Sequence, residues 1–456
     1  VNFSGNPMNK TVIFSKCNKL PWLGKFNVAL LLLLAAVNIN APLAPRSAWA
    51  DDFHYNDVII GDRPGGMGGA YTAISDDASG LFYNPAGIVL VEGGKISASV
   101  TTFRSENKIY QGELGSFDYP LSSTTLQPNF FGIVNHTPFG AIGFSYVIRD
   151  SLYQYSNNSF LLPNSDIFTL NLIDDVNTYN IGPTIAFDVS KDFKVGITMY
   201  YFYKTERYSY NTVKSTPVNP NNAVVSQWDN DYYKDEENGT RPVLGFLYAP
   251  EGETYSLGLV LSKTFIFNAN QYDQITCSLT VATPSDYCYS NLNPGHQPLL
   301  TTPVTRSNIL PDYPLEVRFG AAYFPNKDFL VAADLDYFDA ASPDNIVYTW
   351  IRKPVINAAI GIEYFLNPGL ALRAGLFTDR TNVSAEAIAN INGWPADRVD
   401  RYGATMSTTW FSKFSSITIG ANYAIGSGDS NLLWYGSVLP LKTSVLTIFL
   451  GTAYSY

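Results

Sequence analysis

The sequence predicts an all-β protein: a transmembrane antiparallel β-barrel of about 14 strands, its lumen plugged by an N-terminal segment. Three observations predict it. An export segment precedes everything else, side chains beyond it alternate with a period of two, and the connections between strands alternate between short and long.

The export segment comes first. Residues 1–50 carry Lys10, Lys16, Lys19, Lys25 and Arg46 and no acidic residue. Val28 to Val37 is an unbroken apolar run, too short to span a bilayer as a helix and suited to a signal-peptide core. Ala48-Trp49-Ala50 places small residues where a signal peptidase reads, so Asp51 is expected to follow the cut. The other reading, a short buried helix, fits badly with four flanking lysines. Losing this segment moves the formal charge from −10 to −15, a balance that argues against nucleic acid as a partner. Beyond residue 50 no apolar run approaches 18 residues, so no transmembrane helix is expected. The 31 Tyr, 28 Phe and 7 Trp exceed what a soluble domain of this size uses, and a barrel needs such rings at both bilayer interfaces. Cys17 leaves with the signal, and Cys277 and Cys288 remain as an expected disulfide.

The strands follow. Ile142, Phe144, Tyr146 and Ile148 alternate with Gly143, Ser145 and Val147. Ile356, Ala358, Ile360, Ile362 and Tyr364 alternate with Asn357, Ala359, Gly361 and Glu363. An apolar face backed by a small or polar one suits a wall between lipid and lumen, although a β-sandwich alternates too. Strands are expected at 94–103, 126–136, 139–150, 176–189, 193–204, 241–249, 254–265, 315–324, 328–338, 355–365, 369–379, 401–411, 415–425 and 443–456. Short gaps such as Thr137-Pro138 and Leu366 to Pro368 alternate with long ones throughout. Short periplasmic turns and long outer loops explain that rule, and a sandwich does not. The last strand ends on Tyr456, an aromatic end of the kind read by barrel-insertion machinery, although Phe is commoner there.

Residues 51–93 precede the first strand and do not alternate. Gly65-Gly66-Met67-Gly68-Gly69 lacks both the Lys-Ser/Thr ending and the glycine spacing of a nucleotide loop, so tight turns are the better reading. Ser75 or Asp76 is placed to cap a short helix over Ala78 to Phe82. Asn84-Pro85-Ala86 starts a turn. Residues 51–93 therefore read as the plug, and 94–456 as the barrel.

Gly-Met-Gly-Gly-Ala-Tyr-x-Ala at 66–73, then Asp76-Asp77-Ala78-Ser79 and Asn84-Pro85-Ala86-Gly87, resembles the hatch of the FadL/TodX family of outer-membrane transporters for fatty acids and aromatic hydrocarbons. Later stretches, among them Ala332-Ala333-Asp334 and Leu372-Arg373-Ala374-Gly375, are similar to strands of that family. The resemblance implies a 14-stranded, hatch-plugged barrel in the Gram-negative outer membrane that passively moves a hydrophobic small molecule. It implies that Asn84, Pro85 and Ala86 lie on the ligand's route. It also implies a kinked third strand with a lateral opening, for which Gly140 and Gly143 are the candidates; glycines that merely leave room for the plug are the equal alternative. A non-transporting interaction or secretion-associated protein on the same barrel is the second functional reading.

By parity Tyr200, Phe202, Leu330, Phe338 and Phe377 point inward, as a greasy path requires. Two inward charge couples are expected, Glu363 with Arg373 and Arg318 with Asp334. They read first as ion pairs between wall and plug, and second as an arginine, such as Arg373, offered to a ligand carboxylate. His54, His136 and His296 are scattered, so neither catalysis nor a metal is expected, and no cofactor. The expected partners are outer-membrane lipids, the hydrophobic ligand and the insertion machinery, with the chain a monomer.

Overall fold

A computed structural model of the chain describes residues 54–114, 117–161, 166–218, 223–279, 299–300, 304–307, 310–341, 352–389, 396–431 and 438–456. The expected signal peptide, Cys288 and the side chain of Cys277 lie outside the described residues.

Outward-facing Ile356, Ile360, Ile362 and Tyr364 are each at least 40% exposed on one strand, which only a lipid-facing wall tolerates. That belt spans nine residues, about 26 Å along a strand. The wall is one antiparallel sheet, closed by pairing of its first and last strands. Seven strands make its first half: β1 (Lys95–Leu114), β2 (Phe117–Thr137), β3 (Gly140–Leu161), β4 (Ile167–Asp188), β5 (Phe193–Val218), β6 (Ala223–Tyr248) and β7 (Tyr255–Lys263). Three outer strands follow, β8 (Phe265–Leu279) and the short β9 (Leu299–Leu300) and β10 (Val304–Ser307). The second half is β11 (Leu315–Asn326), β12 (Phe329–Phe338), β13 (Val355–Asn367), β14 (Leu370–Asp379), β15 (Asp397–Phe411), β16 (Ser415–Ser430) and β17 (Leu439–Ser455). β11 pairs back with β7, so the 14 staves of the barrel are β1–β7 and β11–β17. β6 pairs first with β7 and then, past Thr264, with β8, which carries that stave outward.

β1 to β6 run far beyond the expected limits, to 26 residues in β5 and β6. What reads as long outer loops at 104–125, 151–175 and 205–240 is largely paired strand. The physical reason is the loss of lipid outside: above the belt polar residues such as Ser122, Thr124, Asn157 and Ser159 face out, while inward Tyr110, Tyr119, Phe168, Leu170 and Leu172 pack in a second apolar cluster and the ladder continues.

Inside the barrel lies the chain from His54 to Val91, with Met67, Ala70, Tyr71, Ala73, Ile74, Leu81, Ala86 and Ile88 at 0% exposure. It forms a strap (54–60), helix α1 (Asp62–Gly66), a turn, helix α2 (Gly80–Tyr83) and a 3₁₀ turn (Pro85–Leu90). These pack with wall residues Phe130, Val134, Val147, Tyr200, Val243, Val260 and Leu330 in one hydrophobic core. α2 is shorter than expected. Asp77, rather than Ser75 or Asp76, accepts the backbone N–H of Ser79 at 2.7 Å ahead of it, because Asp76 is engaged by Arg63 and Tyr71.

Candidate functional site: the plug, the seam and two chambers

Glycines seat the plug on the wall. Gly361 and Gly375 are register partners beneath Met67, Gly258 and Gly320 beneath Thr72 and Ala73, and Gly196 and Gly245 beneath Asn84, Pro85 and Ala86. A Cβ at any of the six would come closer than 3.0 Å to its nearest neighbour, so each pair forms a socket that admits backbone. Above the last socket Asn84 is fully buried. Its Nδ2 donates to Thr72 O at 2.8 Å and to Phe246 O at 3.0 Å, and its Oδ1 accepts from Ala86 N at 3.1 Å. Asn84 thereby caps the 3₁₀ turn, ties two plug segments together and binds β6.

Charge fixes the rest. Asp334 accepts from the backbone N–H groups of Tyr71 (2.9 Å) and Thr72 (2.8 Å). Glu363 holds Arg63 of α1 by two bonds, 2.6 and 3.1 Å, and its register partner Arg373 at 2.7 Å. Arg63 also binds Asp76 and Tyr71, and Arg373 binds Thr409. Arg318 is opposite Asp336, not Asp334 as expected. The β11–β12 turn is centred on Lys327 rather than Asn326, which moves the register by two residues and leaves the inward parity intact. Arg318 binds Glu316 at 2.6 Å, and Asp334 faces Gly320.

The wall carries a seam between β2 and β3. β2 and β3 pair from Phe130–Val147 down to Thr137–Gly140, and among the described residues no backbone pairing joins them further out. The ladder stops at two irregularities, where Asn129 drops out of register with β1 and Arg149 with β4. Above them side chains alone bridge the seam: Ser151 Oγ donates to Gln127, and Gln127 Nε2 donates to Asn177 at 3.3 Å. The bulge at Arg149 reverses the facing of β3, so Tyr153 and Tyr155 point out and Gln154 points in. Gly140 and Gly143 lie below the seam in fully paired wall, so no opening stands at them. Gly143 instead makes room for Leu81 of α2.

The strap closes the foot of this seam. Asn129 Nδ2 donates to Ile59 O at 3.2 Å, and Arg149 Nη2 lies 3.5 Å from Tyr55 O. Asp57 is clasped bidentately by Arg104 at 2.6 and 2.7 Å and again by Arg401 at 2.8 Å. Two chambers flank the strap. The outer one, about 70 Å³, has Arg149, Lys204, Arg241, Lys263 and Arg352 on its walls against Asp150 and Glu316, with the rings of Phe202, Tyr313 and Phe338. Arg241 is 2% exposed and its Nη1 has no hydrogen-bond partner. The inner chamber, about 40 Å³, lies against Val58, Ile59, Phe82, Ala358, Ala359 and Phe377.

Of the residues expected on a ligand path, Phe202 and Phe338 reach the outer chamber and Phe377 the inner one. Tyr200 instead donates to Leu81 O at 3.0 Å, Leu330 packs in the plug core, and Arg373 is held by Glu363. The sequence reading missed Tyr55, Arg149 and Arg241. Both arginines lie within their expected strands, 241–249 and 139–150, and parity turns Arg241 inward with Val243 and Arg149 inward with Ser145 and Val147. Among the described residues no group of His, Cys, Asp and Glu is placed to hold a metal ion.

No protein-family model and no curated protein matches the chain. Solved structures do. The Pseudomonas putida toluene transporter TodX superposes with a TM-score of 0.59 at 14% identity, over 86% of this chain and 97% of that one. A Pseudomonas aeruginosa FadL homologue gives 0.59 at 13% identity, over 88% and 99%. The Ralstonia pickettii toluene transporter TbuX gives 0.55 at 13%, over 87% and 98%. The fold is thus that of the 14-stranded, FadL/TodX-like outer-membrane barrels, a closed multi-pass wall around an internal plug.

Proposed function

We propose that this chain is a passive outer-membrane conduit for hydrophobic molecules with an anionic head, long-chain fatty acids first among them. The observation that carries the reading is buried Arg241 on the wall of the outer chamber: it shares Glu316 with Arg149 and keeps Nη1 without a hydrogen-bond partner, beside the rings of Phe202, Tyr313 and Phe338. A carboxylate there gains charge-assisted hydrogen bonds, and a hydrocarbon chain gains about 0.8 kcal/mol per buried CH₂. The structural likeness to transporters of toluene supports a hydrophobic cargo. The β2–β3 seam supports sideways exit into the membrane, with the plug around Asn84-Pro85-Ala86 controlling passage.

The second reading, a non-transporting interaction protein, is favoured by one observation. Chambers of about 40 and 70 Å³ hold a few waters and no fatty acid until something moves. Binding of palmitate, hexadecanol and hexadecane to the purified barrel, followed by uptake into proteoliposomes, separates the two. The first reading expects palmitate to bind at least tenfold more tightly than hexadecanol, the preference to fall on Arg241→Gln, and palmitate to cross. Equal affinities would remove the anionic head from the reading, and absence of binding by all three would favour the interaction protein.

A further inference from the structure

Three arginines converge on one buried carboxylate beside the strap. Arg241 Nη2 donates to Glu316 Oε2 at 2.8 Å, Arg149 Nη2 lies 3.1 Å from the same oxygen, and Ser262 Oγ donates to it at 3.0 Å. Arg318 Nε donates to the other oxygen, Oε1, at 2.6 Å. Asp336 adds only a loose contact to Arg318, at 3.9 Å, so three guanidinium charges share one close carboxylate, and Arg241 Nη1 is left with no partner. Rings also hold these arginines in place. Arg318 lies over Phe82 at 5.1 Å and over Tyr83 at 5.6 Å, Arg241 over Phe82 at 5.6 Å, and Arg149 over Phe338 at 5.9 Å. The carboxylate faces two ways: Arg149, Arg241 and Glu316 stand on the wall of the outer chamber, whereas Arg318 stands on that of the inner one.

We propose that Glu316 Oε2 occupies the place of a ligand carboxylate oxygen, which makes Glu316 a built-in competitor: an arriving anionic head takes Arg149 and Arg241 from it while Oε1 stays with Arg318. The inference rests on the anionic-head reading above and deepens it by naming the residue that sets how tightly the head is held. Exchange of one carboxylate for another strands no buried charge, because the ligand brings its own and Glu316 keeps Arg318. The rings keep the guanidiniums in position during the exchange. A head opposed by a fixed negative charge in a site shielded from water is held less tightly than three arginines alone would hold it, and a passive conduit must let its cargo go.

The test is binding of palmitate and hexadecanol to the purified barrel, as wild type, Glu316→Gln and Glu316→Asp. Removing the competing charge in Glu316→Gln is expected to tighten palmitate about tenfold, through slower dissociation, and to leave hexadecanol within about twofold. Glu316→Asp keeps the charge with Arg318 and draws it away from Arg149 and Arg241, so its palmitate affinity should fall between the other two. It also serves as the test if Glu316→Gln does not assemble. Palmitate unchanged or weakened, or both ligands tightened alike, would overturn the competition, since a carboxylate that merely scaffolds the arginines gives those results. Wild type that holds palmitate no better than hexadecanol would overturn the anionic-head reading, and the competition with it.

Discussion

Gly196 and Gly245 face one another in register across β5 and β6; the Pro85–Ala86 backbone occupies the space at Gly196, and the Asn84 amide and the Pro85 ring occupy the space at Gly245. Two further glycine pairs lie beneath Met67 and Thr72, so the plug comes close to the wall at three glycine pairs. A side chain at Gly245 would collide with Asn84 Oδ1 and Pro85. Gly245→Val is therefore expected to unseat the plug locally at a cost of about 1–3 kcal/mol, the usual range for overpacking. Thermal unfolding and sensitivity of cells to small hydrophilic antibiotics would report it. Asn84→Ala removes the bonds to Thr72 and Phe246 without adding bulk, and should slow fatty-acid uptake at normal surface abundance. Unchanged uptake would separate the plug from transport.

Arg63 is the charge on which plug and wall depend most. Removing it leaves Asp76 and Glu363 buried without their shared partner, although Arg373 still contacts Glu363. Breaking a buried pair costs about 3–5 kcal/mol, so Arg63→Ala should lower stability by that order in urea titrations of the refolded barrel. Arg63→Ala combined with Asp76→Asn and Glu363→Gln should recover part of the loss, since no carboxylate is then stranded. A triple variant no more stable than Arg63→Ala would show that packing, not charge, dominates.

The seam offers a direct test of sideways exit. Gln127 and Ser151 touch across it, so cysteines at both positions, in a chain with Cys277 and Cys288 replaced by serine, can be joined by a short cross-linker. Joining them is expected to reduce uptake at least fivefold and cleaving the linker to restore it, with binding of palmitate unaffected. Full uptake through the clamped barrel would direct the exit elsewhere.

Much of this was legible in the sequence. Lipid imposes a two-residue period on every stave, and β11 to β14 fall within two residues of their expected limits, while β15, β16 and β17 extend four or five residues further outward. The plug was legible for the opposite reason, a glycine-rich stretch with no period. The outer halves of β1 to β6 were not, because their outward faces turn polar above the lipid and the apolar run that remains, such as Phe168, Leu170 and Leu172, lies on the inner face alone. The candidate site was legible only in part. Phe202, Phe338 and Phe377 followed from parity, and the same parity places Arg149 and Arg241 inward, whereas Tyr55 sits in an aperiodic strap where parity arguments end. The Arg318 partner was missed by one step of the pleat, since a turn centre moved by one residue shifts the register by two.

The seam begins eight paired residues above the periplasmic turn at Thr137. That is about 26 Å along the strand, or roughly 20 Å of height at a usual tilt of 35–45°. The apolar band of such barrels is about 25 Å tall, so backbone pairing ends within the last few ångströms of hydrocarbon. Under the proposed sideways exit, the thickness of the host membrane becomes a control on transport. A thicker outer leaflet would bring acyl chains to the seam, whereas a thinner one would leave it facing water and head groups. Lipid composition, which touches no side chain of the lumen, would then decide whether the seam meets oil.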